Sequence, residues 1–327
     1  MNKSYLNFRT DMADERVDTY KKVHNLSEID GIKVESKKID KINTTIVDVL
    51  NDNGKKAVGK DIGKYITIEV QSMEYIEEID KEKIISEISN NIQTLLKSVV
   101  EKAQENTSIL IVGLGNEYVT PDALGPKVVS YVDVTRHLMK YAKEYMDPKT
   151  KEISAISPGV LGTTGIETLE IIASIVSKIK PDLIIVIDSL ASMSVSRVGK
   201  TIQLSNTGIT PGAGVGNKRK TLDEQSLGVP VIAIGVPTTV DMATITNEAI
   251  DKLTEKLKTE ANTYMNHGID VDKVDEIFEL FVKDNRYSMI ANVLDTENYI
   301  VTPKEIDDLI NEISEIIASS INVALRP

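Results

Sequence analysis

The sequence predicts an α/β fold: a central, mostly parallel sheet with helices on both faces, β-hairpin additions on the N-terminal side and helices at the C-terminal end. Three observations carry this expectation. Short apolar runs alternate with segments of helical periodicity, and parallel neighbours need crossovers of the kind such helices supply. The runs are rich in Ile, Val and Leu while only 4% of residues are aromatic, which suits strands buried on both faces. Between Gly31 and Val70 the pattern changes to alternating apolar and polar residues, the mark of half-buried antiparallel strands.

Taken in order, residues 45–50 and 65–70 read as hairpin strands, with Asn51-Asp-Asn-Gly54 between them. Ile84, Ile88, Ile92, Leu95, Leu96 and Val99 recur at helical spacing and predict an amphipathic helix over 80–105. Residues 108–112 form a strand, followed by a glycine-rich loop and a helix over about 127–145. A strand at 153–156, a Gly/Thr-rich loop and a helix at 166–178 come next, and Pro181-Asp182 introduce a strand at 183–187 that ends on Asp188. Residues 201–205 and 231–235 are further strands, the second followed by a helix at about 243–258. The tail from Asp272 reads as polar helices with solvated faces. No repeat or linker divides the chain, so residues 12–327 are expected to form one domain in portions 12–106, 107–260 and 261–327.

The 50 acidic and 38 basic residues leave a formal charge of −12, which argues against a nucleic-acid partner, since that affinity rests on neutralising phosphates. The absence of cysteine excludes disulfides, thiolate nucleophiles and zinc-thiolate sites. Neither a signal-peptide core nor an uncharged run of membrane-span length is evident, so a cytoplasmic protein with no membrane partner is expected.

The most informative stretch is Gly113-Leu-Gly-Asn-Glu-Tyr-Val-Thr-Pro-Asp122. It opens like a dinucleotide fingerprint, but Tyr118 stands where the third glycine is required. Asp122 and Asp188 each follow a predicted strand, at the sheet edge where α/β proteins gather ligands. Each is open to a bland use: Asp122 as a helix cap, Asp188 as a cap or a loop fastener through Ser189 and Ser192. If the two face each other, sharing one proton suits them to activate water and to protonate a leaving group. A divalent metal is the rival use of two carboxylates, but His24, His137 and His267 are scattered and no His-Glu-x-x-His occurs, so no cofactor is expected. Thr163 and Thr164 offer hydroxyls to a substrate oxygen or simply form a turn and cap. Lys218, Arg219 and Lys220 make one loop basic within an acidic protein, fitted to an acidic side chain or to solvent. Thr238, Thr239 and Asp241 read as a helix cap.

Together these loops resemble the germination protease (gpr endopeptidase) family of spore-forming Firmicutes over nearly the whole chain. The carriers are Arg9-Thr-Asp-Met-Ala13, Gly113-Leu-Gly-Asn116, Val119-Thr-Pro-Asp-Ala-Leu-Gly-Pro126, Pro158-Gly-Val-Leu-Gly-Thr-Thr-Gly165, Ile187-Asp-Ser-Leu-Ala191, Pro211-Gly-Ala-Gly-Val-Gly-Asn-Lys-Arg219 and Ala233-Ile-Gly-Val-Pro-Thr238. The resemblance implies an atypical aspartic endopeptidase of the spore core that degrades small acid-soluble proteins at germination, with Asp122 and Asp188 on the two aspartates regarded as essential. It further implies a homotetramer, a fold related to hydrogenase-maturation endopeptidases, which bind metal, and a zymogen that removes its own N-terminal segment. Thr10-Asp11-Met12-Ala13 looks like the processing motif, which places the cut between Asp11 and Met12 and makes residues 1–11 a propeptide. The substrate proteins are largely disordered off DNA, so an extended segment enters a cleft without prior unfolding. The readings kept beside this are a metallopeptidase using the same carboxylates, a non-catalytic binder of small acid-soluble proteins, and, more remotely, a nucleotide-binding module.

Overall fold

In the computed structural model, which describes residues 10–70, 78–100, 107–212, 219–263, 290, 293 and 299–326, the strands are β1 (Ile32–Ile39), β2 (Ile42–Val49), β3 (Gly63–Val70), β4 (Ser108–Gly113), β5 (Glu152–Ile156), β6 (Leu183–Ala191), β7 (Thr201–Ser205), β8 (Val231–Asp241) and β9 (Ile300–Val301). They run across one sheet in the order β1-β2-β3-β7-β8-β6-β4-β5, with β9 paired to β8. The centre is parallel: β8 with β6, β6 with β4, and β4 with β5. The hairpin strands join the same sheet as an antiparallel wing, through β3 on β7 and β7 on β8.

The helices are α1 (Ala13–His24), α2 (Asp52–Val58), α3 (Glu78–Val99), α4 (Leu124–Tyr131), α5 (Arg136–Tyr141), α6 (Leu161–Thr164), α7 (Thr168–Ile179), α8 (Glu224–Leu227), α9 (Met242–Thr263) and α10 (Ile306–Leu325). Side chains alternate across a strand, and β6 shows the result. Ile185 and Ile187 join the cluster that contains Ile88 and Ile92 of α3, Val128 of α4 and Ile313 and Ile317 of α10. Ile184 and Val186 join the opposite cluster with Ile172 and Val176 of α7. A third cluster sets Val17 of α1 and Val58 of α2 against Val47 and Tyr65 of the wing. The sheet is therefore covered on both faces, as its apolar strands demand.

Four local expectations are corrected. Residues 51–54 do not make a hairpin turn: Asn51 accepts the N–H groups of Asn53 and Gly54 at 2.9 and 3.0 Å and starts α2, which ends at Gly59 with φ +66°. The helix expected over 127–145 stops at Tyr131, because Thr135 leaves helical pairing to donate its N–H to Ile153 O at 3.0 Å and accept Ile153 N–H on its hydroxyl at 2.9 Å. Strands β6 and β8 run past their expected ends to Ala191 and Asp241. The last helix is no solvated face: α10 buries Ile310, Ile313, Ile316, Ile317 and Ile321. Much of the expected tail between 272 and 298 lies outside the described residues.

Ile317 is fully buried between α3 and the sheet, so Ile317→Ala is expected to cost about 2–5 kcal/mol, read from the urea midpoint. A midpoint equal to the parent's would contradict a core role for α10.

Candidate active site

The register of the parallel strands places the first acid. β4 ends at Gly113, opposite Ile187, while β6 continues, so Asp188 is the first residue of β6 beyond the end of β4. Leu114 seals the step by donating its N–H to Ile187 O at 2.8 Å. Asp188 shares a face of β6 with Val186 and Ile184, and only 5% of it is exposed. It caps nothing and bonds neither serine hydroxyl. Its Oδ1 accepts the N–H of Ser189 at 3.0 Å, while Ser192 donates its hydroxyl to Ser194 O.

The second acid is carried by the glycine-rich loop folding back on itself. Gly115 has φ +111°, and a Cβ there would lie 1.9 Å from Asp122 O. A Cβ on Gly113 would come within 2.2 Å of Gly125 O. The glycines thus serve close backbone approach, bringing the 3₁₀ turn Thr120–Asp122 over the end of β4. The N–H of Asn116 is shared between Asp122 Oδ2 at 2.9 Å and Asp122 O at 3.0 Å. Helix α4 has no side-chain cap, so the capping use of Asp122 is not realised. Asp241 does cap, accepting Thr244 N–H at 3.0 Å and its hydroxyl at 2.5 Å.

Both acids line one cleft of about 550 Å³, with Asp11, Leu114, Ala191 and Thr238 among its walls. Burial raises the pKa of Asp122 to about 6 against the opposing Asn116 N–H. Asp188 is pushed well above the usual carboxylate range, by burial first and then by the charges of Asp122 and Asp11, with the Ser189 N–H opposing. The charge of Asp122 thus strengthens the hold of Asp188 on its proton, while burial alone raises Asp122.

The N-terminal segment enters the same cleft. Asp11 donates its N–H to Ala191 O at 3.0 Å, and Ala191 donates its N–H to Asp11 Oδ2 at 3.0 Å. A register shift between Leu190 and Ala191 frees those groups from β8. The carbonyl oxygen of Asp11 accepts from Lys60 Nζ at 2.6 Å and Gln203 Nε2 at 3.1 Å. Met12 is fully buried, and its N–H donates to Thr10 Oγ1 at 3.0 Å. Thr10 in turn donates to Glu15. Arg197 forks onto Asp14 at 2.6 and 3.2 Å and reaches Glu15 at 3.2 Å. Burial works against the charge of Arg197, but the bond to Asp14 and the charges of Asp14 and Glu15 outweigh it, so α1 is fastened beside the cleft.

The other residues singled out from the sequence fall less centrally. Thr163 Oγ1 bonds Val160 O at 2.9 Å, and Thr164 Oγ1 lies 3.1 Å from the same carbonyl and accepts Ile166 N–H at 3.1 Å. From that loop it is Gly159, Val160, Leu161, Gly162, Glu167 and Thr168 that line the cleft. Arg219 lines it too, 3.9 Å from Glu167; Lys220 sits 4.0 Å from Glu170 with both groups exposed. Lys218 lies outside the described residues. Sequence reasoning missed Lys60 and Gln203, which line an adjoining pocket that Asp11 shares with the cleft, and Ile300 of β9 and the following Thr302, which line the cleft itself, Thr302 donating to Thr238 O at 2.9 Å. Only the β-branched pair Ile300-Val301 carried any local signal. Among the described residues no three His, Cys, Asp or Glu converge to hold a metal ion, so the donors present do not fit the metal that the resemblance brings with it. No described helix is long and apolar enough to cross a membrane.

The family model described as germination protease matches residues 9–268. A germination protease of Clostridium perfringens is 46% identical over 324 residues, 98% of this chain and 96% of its own. That of Clostridium tetani is 43% identical over the same share of each. The protein of that name from a Geobacillus strain is 37% identical, covering 99% of this chain and 95% of its own. A NiFe hydrogenase maturation protease of Thermococcus kodakarensis aligns with 45% of this chain and 80% of its own at a TM-score of 0.27 and 17% identity.

Two outcomes follow from the geometry. Gly115→Ala forces a methyl into Asp122 O at a φ that L-residues avoid, and is expected to destabilise by about 1–3 kcal/mol or more, measured by urea denaturation. Folded Asp188 keeps its proton above the ordinary 3.8 while the unfolded chain releases it there, so stability is lost as pH rises from about 4 through the raised value. Asp188→Asn is therefore expected to raise Tm by about 2–4 °C at pH 8 and to lose that advantage below pH 4. A Tm gap that does not change with pH would refute the assignment.

Proposed function

The chain belongs to the germination protease family and is an endopeptidase, and from that premise we propose that it is a self-processing aspartic-type enzyme in which Asp122 and Asp188 activate water. The observation that carries this reading is the presence of the buried Asp188, the half-buried Asp122 and Asp11, which precedes the expected cut, in one cleft. Asp188, with the higher proton affinity, holds its proton. Asp122, ionised above about pH 6, takes a proton from water as the water oxygen bonds to the Asp11 carbonyl carbon. The bond from that carbon to Met12 N then breaks, and the proton of Asp188 passes to the leaving nitrogen. One water is consumed, leaving a carboxyl on Asp11 and an amine on Met12.

In the same reading, residues 1–11 are a propeptide whose Asp11 holds the place that an acidic substrate residue takes later. Residues 12–327 are the peptidase domain, working in the spore core as a homotetramer on small acid-soluble proteins. Arg219, at the cleft wall, with Lys218, favours an acidic side chain, and Thr163 and Thr164 act by shaping the loop that borders the substrate. Extended, disordered substrates suit a cleft that already receives Asp11 through its pairing with the main chain of Ala191.

The test is intact-mass analysis of the full-length chain incubated with and without a chelator, beside Asp122→Asn and Asp188→Asn. Loss of eleven residues that resists chelation and slows by ~10² to 10⁴-fold in either variant is the expected result. Undiminished cutting in both variants would remove the acids from the reaction. Chelator-sensitive cutting restored by a divalent ion would assign it to a metallopeptidase. The rate is expected to climb as pH passes about 6 and to fall again as Asp188 loses its proton; a flat profile from pH 5 to 7 would count against Asp122 as the base.

A further inference from the structure

We propose that Lys60 and Gln203 form the cradle for the carbonyl oxygen of the bond being cut, making Lys60 a catalytic residue and Gln203 the group that fixes the register of the bound chain. The inference rests on the self-processing reading above, in which the bond between Asp11 and Met12 is the one hydrolysed.

The geometry is specific to that bond. Two donors from different elements converge on one carbonyl: Lys60 Nζ at 2.6 Å, from just after α2, and Gln203 Nε2 at 3.1 Å, from β7. Gln203 uses both ends of its amide, since its Oε1 accepts the N–H of Ala13 at 2.7 Å. One side chain therefore reads the carbonyl before Met12 and the N–H after it, which sets the chain register without reading any side chain. On the other side of Asp11, the main chain of Ala191 pairs with the N–H and carboxylate of the same residue. A main-chain frame of this kind accepts any extended segment with an acidic residue before the bond.

When water adds to the Asp11 carbonyl carbon, the carbonyl π electrons move onto its oxygen, and negative charge develops where Nζ of Lys60 and the amide N–H of Gln203 already point; burial lowers the pKa of Lys60 and the charge of Asp11 opposes that, so charge growing on the oxygen further favours the ammonium. Donors placed in advance stabilise that charge without reorganising. As the bond to Met12 N breaks, the electrons return to the carbonyl and the nitrogen takes its proton from the acid pair. Lys60 and Gln203 exchange no proton in this sequence. The arrangement also separates duties: the two aspartates handle protons, and the cradle handles the oxygen's charge.

The test is the single-turnover rate of self-cleavage in the full-length chain, followed by intact mass with a parallel thermal melt. Lys60→Met keeps the length of the side chain without its charge and is expected to slow cutting by ~10²-fold; Lys60→Arg, which keeps the charge, is expected to remain within ~10-fold of the parent. Arg16→Gln is the anchoring control, because Arg16 holds the same segment through Thr10 O at 3.2 Å and does not bond Asp11 O; less than ~3-fold loss is expected. Parent-like cutting by Lys60→Met, or equal losses in Lys60→Met and Arg16→Gln, would overturn the cradle. If Lys60→Met does not fold, a folded Lys60→Arg that fails to cut decides against it as well. Asp122→Asn run alongside separates the two readings: if it is inert while Lys60→Met is fast, only the cradle falls, and if it also cuts, the carboxylate mechanism falls.

Discussion

A carboxylate inside a sheet covered on both faces has no water to carry its charge, and the neighbourhood of Asp188 is organised around that constraint. Its strand, β6, is buried nearly throughout and lies between two parallel partners. The acid is tolerated because β4 stops one residue short, leaving a cleft over the strand end instead of a packed side chain. Even there it gets one N–H, and its other neighbours include two further acids. The result is a group that keeps its proton, at a cost to stability that an apolar residue would not incur. The apolar clusters on both faces of β6 are what make that cost sustainable.

The parts of the fold that were legible in the sequence are those whose signal is local. Continuous Ile/Val runs identify parallel strands because burial on both faces removes alternation, and the hairpin wing announces itself by restoring it. The failures have physical causes. Asn51 was read as a turn residue, but its side chain serves equally well as a helix cap, and only the two N–H groups it receives decide between them. In α10 the acids Asp307, Asp308, Glu312 and Glu315 disguise an apolar stripe that packs on α3 and α4. The helix past Tyr131 ends for a long-range reason, the claim that β5 makes on Thr135.

The site divides along the same line. Asp122 and Asp188 were visible because each comes after a continuous apolar run, a relation contained in nearby residues, although β6 itself runs on past Asp188. Lys60 and Gln203 were not, since their meeting with Asp11 joins positions 49 and 192 residues apart. Nothing local marks a lysine after a helix-ending glycine as anything but solvated. Asp11 stood out only through the resemblance of its motif, and its place beside the acids emerges from the fold. α1 and the Arg197 cluster hold Asp11 there, so in the self-processing proposed above the bond is presented within one chain, where proximity replaces collision.

The position of α10 bears on how the site is held together. Thr120, two residues before Asp122, donates its hydroxyl to Asp307 at the start of α10 at 2.9 Å, and Asn311 and Asn322 accept from Lys127 and from the N–H of Asp133. The turn that carries one acid is thus braced by a helix 187 residues away in sequence. Closing so long a loop costs chain entropy before the contact repays it, so the geometry of Asp122 depends on a remote helix as much as on the glycines beside it, and loosening α10 loosens the acid.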